Sequence, residues 1–198
     1  MYTRRRSSTK RQLMEAGLSI LLEEGYDRLT VTKIADTADY GRGTFYQYFA
    51  DKEDFVVQII ALLFEQHTTA VNQSVAHLPS PQREYFGWIN VFRTIKKYQP
   101  FFKSLHGRDY PNLMEQFSAY SVIRTTQQLE QGIYVYGDMM QLPIPVMASF
   151  VASAMDGVVN YWLTTDCELP AEDIAGMMFK MLYHIEPSIH LLESNHQK

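Results

Sequence analysis

The stretch Tyr40–Asp54 reads YGRGTFYQYFADKED. It holds five aromatic rings and two glycines around one arginine, then turns to charge at Asp51. An active-site loop, a phosphate cradle and a DNA-reading helix all suit so many rings with so few aliphatics. The spacing favours the last. Phe45 and Phe49 stand four apart, so on a helix they share one inward face. Arg42, Thr44, Gln47 and Tyr48 fall away from it. Gly43 removes a side chain, so the backbone can approach phosphate closely. Tyr46 and Tyr48 carry hydroxyls for phosphates or base edges. Lys52 opens the next predicted helix, where free amides and positive charge together attract phosphate. The plain alternatives are a solvated Arg42, and a Tyr46 ring in the core with its hydroxyl outward.

Helical patterning surrounds this stretch. Leu13, Gly17, Ile20 and Leu21 recur at helical spacing, and Gly25 stands where a helix ends. Thr32–Ala38 predicts a second helix with Ile34 and Ala35 inward, Asp39–Gly41 breaks it, and Arg42–Phe49 predicts a third. Asp51 is placed to cap a fourth helix running to about His77. Two helices joined by a three-residue break form helix-turn-helix geometry: one braces across the DNA backbone while the next enters the major groove. The bracing would come from Phe45 and Phe49 packed on Ile34 and Leu21.

After the linker-like LPSPQ at 78–82, further helices are predicted over Glu84–Lys97, from Pro100, from Pro111 to about Tyr136, and over Val146–Leu163. Pro170 opens a last one, with Glu172 and Asp173 in its first turn. The fold class expected is all-α, with no strand and no repeat.

Composition limits the functions available. The chain has 198 residues, 46% apolar and 20% charged, enough for a sizeable core. Net charge is −4. Residues 1–52 hold nine Lys/Arg against seven Asp/Glu, a balance of +2, leaving −6 for the remainder. Arg4, Arg5, Arg6, Lys10 and Arg11 form a basic arm on an otherwise acidic chain, which indicates one polyanion-facing end or a solvated tail. Such an arm can enter a minor groove or stay disordered. The single Cys167 excludes an intramolecular disulfide and fits a reducing cytoplasm. No signal peptide is evident. The uncharged Met139–Met155 carries Pro143 and Pro145 and predicts a buried helix with its lead-in, not a membrane span. His67, His77, His106, His184, His190 and His196 form no i,i+4 pair, so neither metal nor cofactor is expected. Gly41-x-Gly43 follows no strand, which disfavours a nucleotide cradle.

At these residues the chain resembles the tetracycline-repressor (TetR) family of bacterial regulators. The resemblance covers about Lys10 to Phe55. EEGYDRLTVTKIADTADYGRGTFYQYFADKEDF follows that family's Gly-Tyr, Thr-hydrophobic, Ile-Ala, Gly-Thr-hydrophobic-Tyr-x-x-Phe and Lys-Glu pattern without gaps. It implies an all-helical homodimer in the bacterial cytoplasm, at the nucleoid. A helix-turn-helix domain over 1–55 would be followed by a ligand-binding and dimerisation domain over 56–198. The DNA contacts implied fall on Thr30 or Thr32, Arg42, Gly43, Thr44, Tyr46, Gln47, Tyr48 and Lys52. Two positions depart from the pattern. Asp39 replaces the usual glycine of the tight turn, and Asp tolerates the left-handed conformation better than most residues. Gly41 replaces the usual Ser or Thr cap, so a hydroxyl contact to phosphate should be absent there. Farther on, FVASAMDGVVNYWLTTDCELPAEDIAGMM looks like the end of one C-terminal subclass of the family.

The second domain is rich in rings and methionine. Trp88, Phe92, Phe101, Tyr110, Phe117, Tyr120 and Met155 are candidates to line a pocket for an apolar or aromatic effector, as are Tyr98, Phe102, Tyr134 and Tyr161; core packing is the plain alternative. Phe150, Val151, Ala154, Val158, Trp162, Met177, Met178 and Met181 are candidates for a dimer seam. Asp156 and Asn160 stand four apart on a nearly all-apolar helix, where a buried carboxylate needs a partner.

Three functions compete. The first is a one-component regulator, a dimeric repressor released from a palindromic operator by a small molecule. The second is an adaptor that binds DNA and recruits a protein without sensing a ligand. The third is an enzyme with a buried apolar site, against which no Ser/His/Asp, Cys/His or paired-carboxylate arrangement has supporting context.

Overall fold

The structure is a computed structural model describing residues 2–75, 77–78, 82–106, 110–132 and 142–183; of 2–7 and 66–73 only the backbone is described. Every regular element among them is helical. Tyr134 and Ile185 lie outside the described residues, as do His184, His190 and His196. Two compact units are formed, Met1–Phe64 with Tyr98–Tyr120, and Glu65–Lys97 with Ser121–Lys198.

The first unit begins with α1 (Tyr2–Glu24), which carries the backbone of the Arg4–Arg6 arm. Gly25, at φ 81°, ends α1 and leads into a 3-10 turn, Tyr26–Arg28. Then come α2 (Val31–Thr37) and α3 (Arg42–Tyr46). Thr30 caps α2, its hydroxyl accepting from the Lys33 amide at 3.1 Å. Asp39, at φ 58°, takes the left-handed position after α2. Its amide donates to Asp36 O and the Tyr40 amide to Ala35 O, at 3.1 and 2.8 Å. This two-bond pattern is a Schellman cap, so aspartate does glycine's work in this turn. α3 is shorter than the spacing predicts. Beyond Tyr46 the Gln47 and Tyr48 amides reach back only three residues, to Thr44 and Phe45, tightening the last turn.

α4 (Lys52–Val75) starts on a reciprocal cap. Asp51 Oδ1 accepts from the Asp54 amide at 2.7 Å, and Asp54 Oδ2 accepts from the Ala50 amide at 2.9 Å. Three phenylalanines bind α3 to α4. Phe45, Phe49 and Phe55 are all buried, with ring centroids 4.8 to 5.4 Å apart. Each ring contributes roughly 1.5–3 kcal/mol by leaving water. Gly17 on α1 is what admits them: a Cβ there would lie 2.3 Å from the Phe55 ring. α6 (Gln99–Leu105) and the start of α7 (Pro111–Glu130) complete this unit, with Phe101, Phe102 and Leu105 buried.

The second unit contains α5 (Gln82–Lys97), α8 (Ile144–Thr164) and α9 (Ala171–Tyr183). α5 and α9 run antiparallel. The Tyr85 ring meets Phe179 edge-on at 5.4 Å, and Arg93 pairs with Glu172 at 2.5 Å. Trp162 of α8 is fully buried, edge-on to Phe92 at 5.3 Å, and its Nε1 donates to Leu169 O at 3.0 Å. No described helix is long and apolar enough to cross a membrane.

Candidate nucleic-acid interface

The short α3 is gripped from beneath and open above. Phe45 has no exposed surface, while its neighbour Tyr46 is 50% exposed. Arg42, Gly43 and Gln47 are exposed, Thr44 and Tyr48 half-buried. This is the division that the four-residue spacing of Phe45 and Phe49 predicts. The Tyr46 ring stands edge-on to Phe45 at 5.5 Å, so its exposed surface rests on the buried one. Gly41 caps α3 without a side-chain bond. A Cβ on either Gly41 or Gly43 would meet nothing within 4 Å. The absence of a side chain at Gly43 therefore serves no internal packing.

Residues around α3 present the same surface. Thr30 and Thr32 are exposed at the start of α2. Thr30 spends an acceptor lone pair on its cap, which leaves its O–H proton free to donate. Tyr40 anchors the turn to α1, its hydroxyl donating to Gln12 Oε1 at 2.6 Å. The Lys10 ammonium lies 5.6 Å from the Phe49 ring centroid, which attaches the end of the basic arm to this region. Arg11 pairs with Glu15 on α1.

Lys52 lies 3.9 Å above the Tyr26 ring. That ring is buried, and its hydroxyl donates to Glu53 Oε1 at 2.7 Å. Burial, then the bond to Glu53, pushes the Tyr26 phenol up beyond its ordinary range, so it remains a donor at any physiological pH. Tyr110 meets the same ring edge-on at 4.5 Å and donates to Asp27. Gln116 reaches Asp51 at 3.4 Å. Spacing gave no sign of these contacts, because Tyr110 and Asp27 are 83 residues apart in the chain.

The pocket candidates divide between the units. Phe101, Tyr110, Phe117 and Tyr120 belong to the first, Trp88, Phe92 and Met155 to the second. Trp88 is buried, and its Nε1 has no hydrogen-bond partner among the described residues. Met155 falls by helical spacing on the inner face of α8, between buried Val151 and buried Val159, yet keeps partial exposure. Asp156 beside it is pushed up to about 6 by burial.

The seam candidates divide too. Val151, Trp162 and Met178 are buried within the chain itself, and Ala154 and Val158 are half-buried. Phe150, Met177 and Met181 are exposed, at 57, 46 and 58%. Val146 and Tyr161, not singled out for a seam from the sequence, join Phe150 on one stripe of α8 at 56 and 59% exposure. Their spacing of four and eleven from Phe150 was the available signal.

Comparison with known proteins agrees with this arrangement. Residues 13–59 match the family described as bacterial regulatory proteins, tetR family, and residues 85–184 match a transcriptional regulator C-terminal region. Among curated relatives, the repressor DhaR of Mycobacterium sp. (strain GP1) is 32% identical over 88 residues, 42% of this chain and 44% of DhaR. The repressor NemR of Escherichia coli (strain K12) is 30% identical over 70 residues, 35% of this chain and 33% of NemR. The matched stretches thus span less than half of those relatives. Among solved structures, the Bacillus subtilis regulator FadR in complex with stearoyl-CoA matches with TM-score 0.54 at 17% identity, over 87% of this chain and 97% of FadR. RolR in complex with resorcinol matches with TM-score 0.56 at 20% identity, over 90% and 89%. At such identities the likeness shows the fold. With a helix-turn-helix whose inward and outward residues divide as the spacing predicts and both regions matched, the chain belongs to the tetR family of bacterial transcriptional regulators.

Proposed function

We propose that the chain is a homodimeric repressor that binds a palindromic operator and is released from it by an apolar or aromatic small molecule. The observation that carries this reading is the polarity of α3. Phe45 and Phe49 are locked inward, while Arg42, Gly43 and Gln47 are exposed and the missing side chain of Gly43 serves no internal packing. In this reading Arg42 and Gln47 read base edges, and Gly43 admits a close backbone approach. Thr30, Thr32, Thr44, Tyr46, Tyr48 and Lys52 hold phosphates. Residues 1–55 form the DNA-binding region, and 56–198 the effector and dimerisation region.

Dimerisation is assigned to the outward stripes of α8 and α9, drawn by Val146, Phe150, Tyr161, Met177 and Met181. Apolar surface so concentrated on two helices marks a protein interface. The effector site is assigned to the interior of the second unit beside Trp88 and Met155. The buried Trp88 indole N–H, without a hydrogen-bond partner among the described residues, and the half-buried Asp156 carboxylate are polar groups of the kind that an apolar pocket uses for orientation. Stearoyl-CoA and resorcinol, bound by two proteins of this fold, differ too much to fix the effector here. Release requires that the effector bind one conformational state more tightly than the other.

Selecting preferred duplexes from a random DNA pool at near-physiological salt tests the reading. Enrichment of a palindrome with half-sites about one helical turn apart supports it. Salt-sensitive binding without any enriched sequence contradicts it and favours an adaptor. Thermal stabilisation by a small molecule separates an effector-sensing protein from an adaptor. Turnover of a small aromatic substrate would revive an enzyme.

A further inference from the structure

The recognition helix α3 is held unevenly. Its far end is clamped by Phe45 on the helix and Phe49 just past it, both buried and packed with Phe55. Its near end has no such clamp. Gly41 caps the helix without a side-chain bond, at the position where the family pattern has Ser or Thr. Arg42 is exposed, and Gly43 has no side chain to pack. A helix of five residues cannot fix its own start.

Tyr40, the residue before the cap, is attached on two sides. Its amide donates to Ala35 O at 2.8 Å, which fixes its backbone to α2. Its hydroxyl donates to Gln12 Oε1 at 2.6 Å, which ties its ring to α1. Both bonds lie within one compact unit, two residues ahead of Arg42. Gln12 is exposed and the Tyr40 ring half-buried, so water replaces the hydroxyl bond on unfolding and its net contribution to the stability of the unit is small. Its consequence is local: it restricts the direction in which the chain enters α3.

From this geometry we infer that Tyr40 is a positioning residue for base reading: tied to Gln12, it stands in for the missing side-chain cap and holds the start of α3 at the angle from which Arg42 meets the base edges. Tyr40 touches no DNA in this scheme. The inference rests on the assignment of Arg42 to base edges made above.

The test compares the affinity of the full-length protein for a duplex carrying the selected palindrome with that for an unrelated duplex, across a series of salt concentrations and alongside the denaturation midpoint. Tyr40→Phe keeps the ring and removes the hydroxyl. It should lower the preference for the palindrome by about two- to tenfold per half-site, the equivalent of one ordinary hydrogen bond. Binding to the unrelated duplex, the salt slope and the midpoint should stay as they are, because Lys52, the cation assigned to phosphate, stands on α4. Gln12→Ala removes the acceptor from the other helix. It should produce the same loss, with nothing further when the two changes are combined. Arg42→Ala is the reference. If it leaves the preference intact, or if no palindrome is enriched, the base-reading assignment is wrong and the inference falls with it. If Arg42→Ala relaxes the preference and Tyr40→Phe does not, the assignment stands and Tyr40 has no positioning role. Losses from Tyr40→Phe and Gln12→Ala that add would mean that the two side chains act separately. Equal weakening on both duplexes would mark a direct backbone contact, or a structural residue where the midpoint also falls. Each of these results overturns the inference.

Discussion

Tyr46 on α3 and Tyr161 on α8 are almost equally exposed, at 50 and 59%, yet the faces they belong to differ in chemistry, and the proposed function gives them opposite partners. Around Tyr46 stand Arg42, Gln47 and two glycines, on a five-residue helix that could not persist without the phenylalanines below it. Tyr161 shares one outward stripe of a 21-residue helix with Phe150 and Val146, and α9 exposes Met177 and Met181. The first face offers donors and close backbone approach, which suits a hydrated polyanion. The second offers exposed apolar side chains, which suit another protein surface of the same kind. An exposed ring alone carries little information; its neighbours decide whether it serves a phosphate or a seam.

The comparison breaks most visibly on the apolar side. Phe150→Arg combined with Met181→Arg should convert the proposed dimer to a monomer in sedimentation while far-UV circular dichroism stays unchanged, because both side chains already face solvent. Operator affinity should then fall on the order of a thousandfold or more, toward non-specific binding. A dimer that survives both charges would place the seam elsewhere. On the polar side, Arg42→Ala should cost about 1–3 kcal/mol per half-site if it reads guanine, with no change in the denaturation midpoint. A shifted midpoint would mean that Arg42 is structural.

Gly17→Ala separates the faces further. The added methyl would collide with the Phe55 ring beneath α3, and overpacking of this kind costs about 1–3 kcal/mol. DNA binding and the stability of the first unit should suffer while dimerisation persists. The smallest effect is expected at Asp156. Burial raises its carboxyl to about 6, from 3.8 in an unstructured chain. Between those values the folded chain holds the proton more tightly than the unfolded one, so this group's contribution to stability falls as pH rises from about 4 to 6. Above pH 6 the penalty is fully present. Asp156→Asn should therefore raise the melting temperature at pH 7 and leave it nearly unchanged at pH 4. Equal shifts at both pH values would rule out the ionised carboxylate as the cause.

Much of the first face could be read from local chemistry. Gly25, Asp39, Asp51 and Asp54 stop or start helices by rules that act within a turn, and the spacing of Phe45 and Phe49 assigns inside and outside to α3. The extent of α3 was less legible, since its last residues tighten into a turn that periodicity does not distinguish from helix. The second face was harder because α8 is apolar around most of its circumference. Val151 and Trp162 suit a seam as well as a core, and only the packing of Trp162 on Phe92 shows which side is inward. Tyr110 was harder still. Its partners, Tyr26 and Asp27, are brought to it by the fold of the whole first unit, and no local pattern encodes them.

In the proposed dimer the apolar seam sets the separation at which two polar faces meet DNA. The most direct measurement compares the affinity for the selected palindrome with that for a version whose half-sites are moved apart by half a helical turn, about five base pairs. Binding of the altered site should drop to the level of unrelated DNA. Equal affinity for both would show that each protomer finds its half-site independently, which would contradict a dimer of fixed spacing.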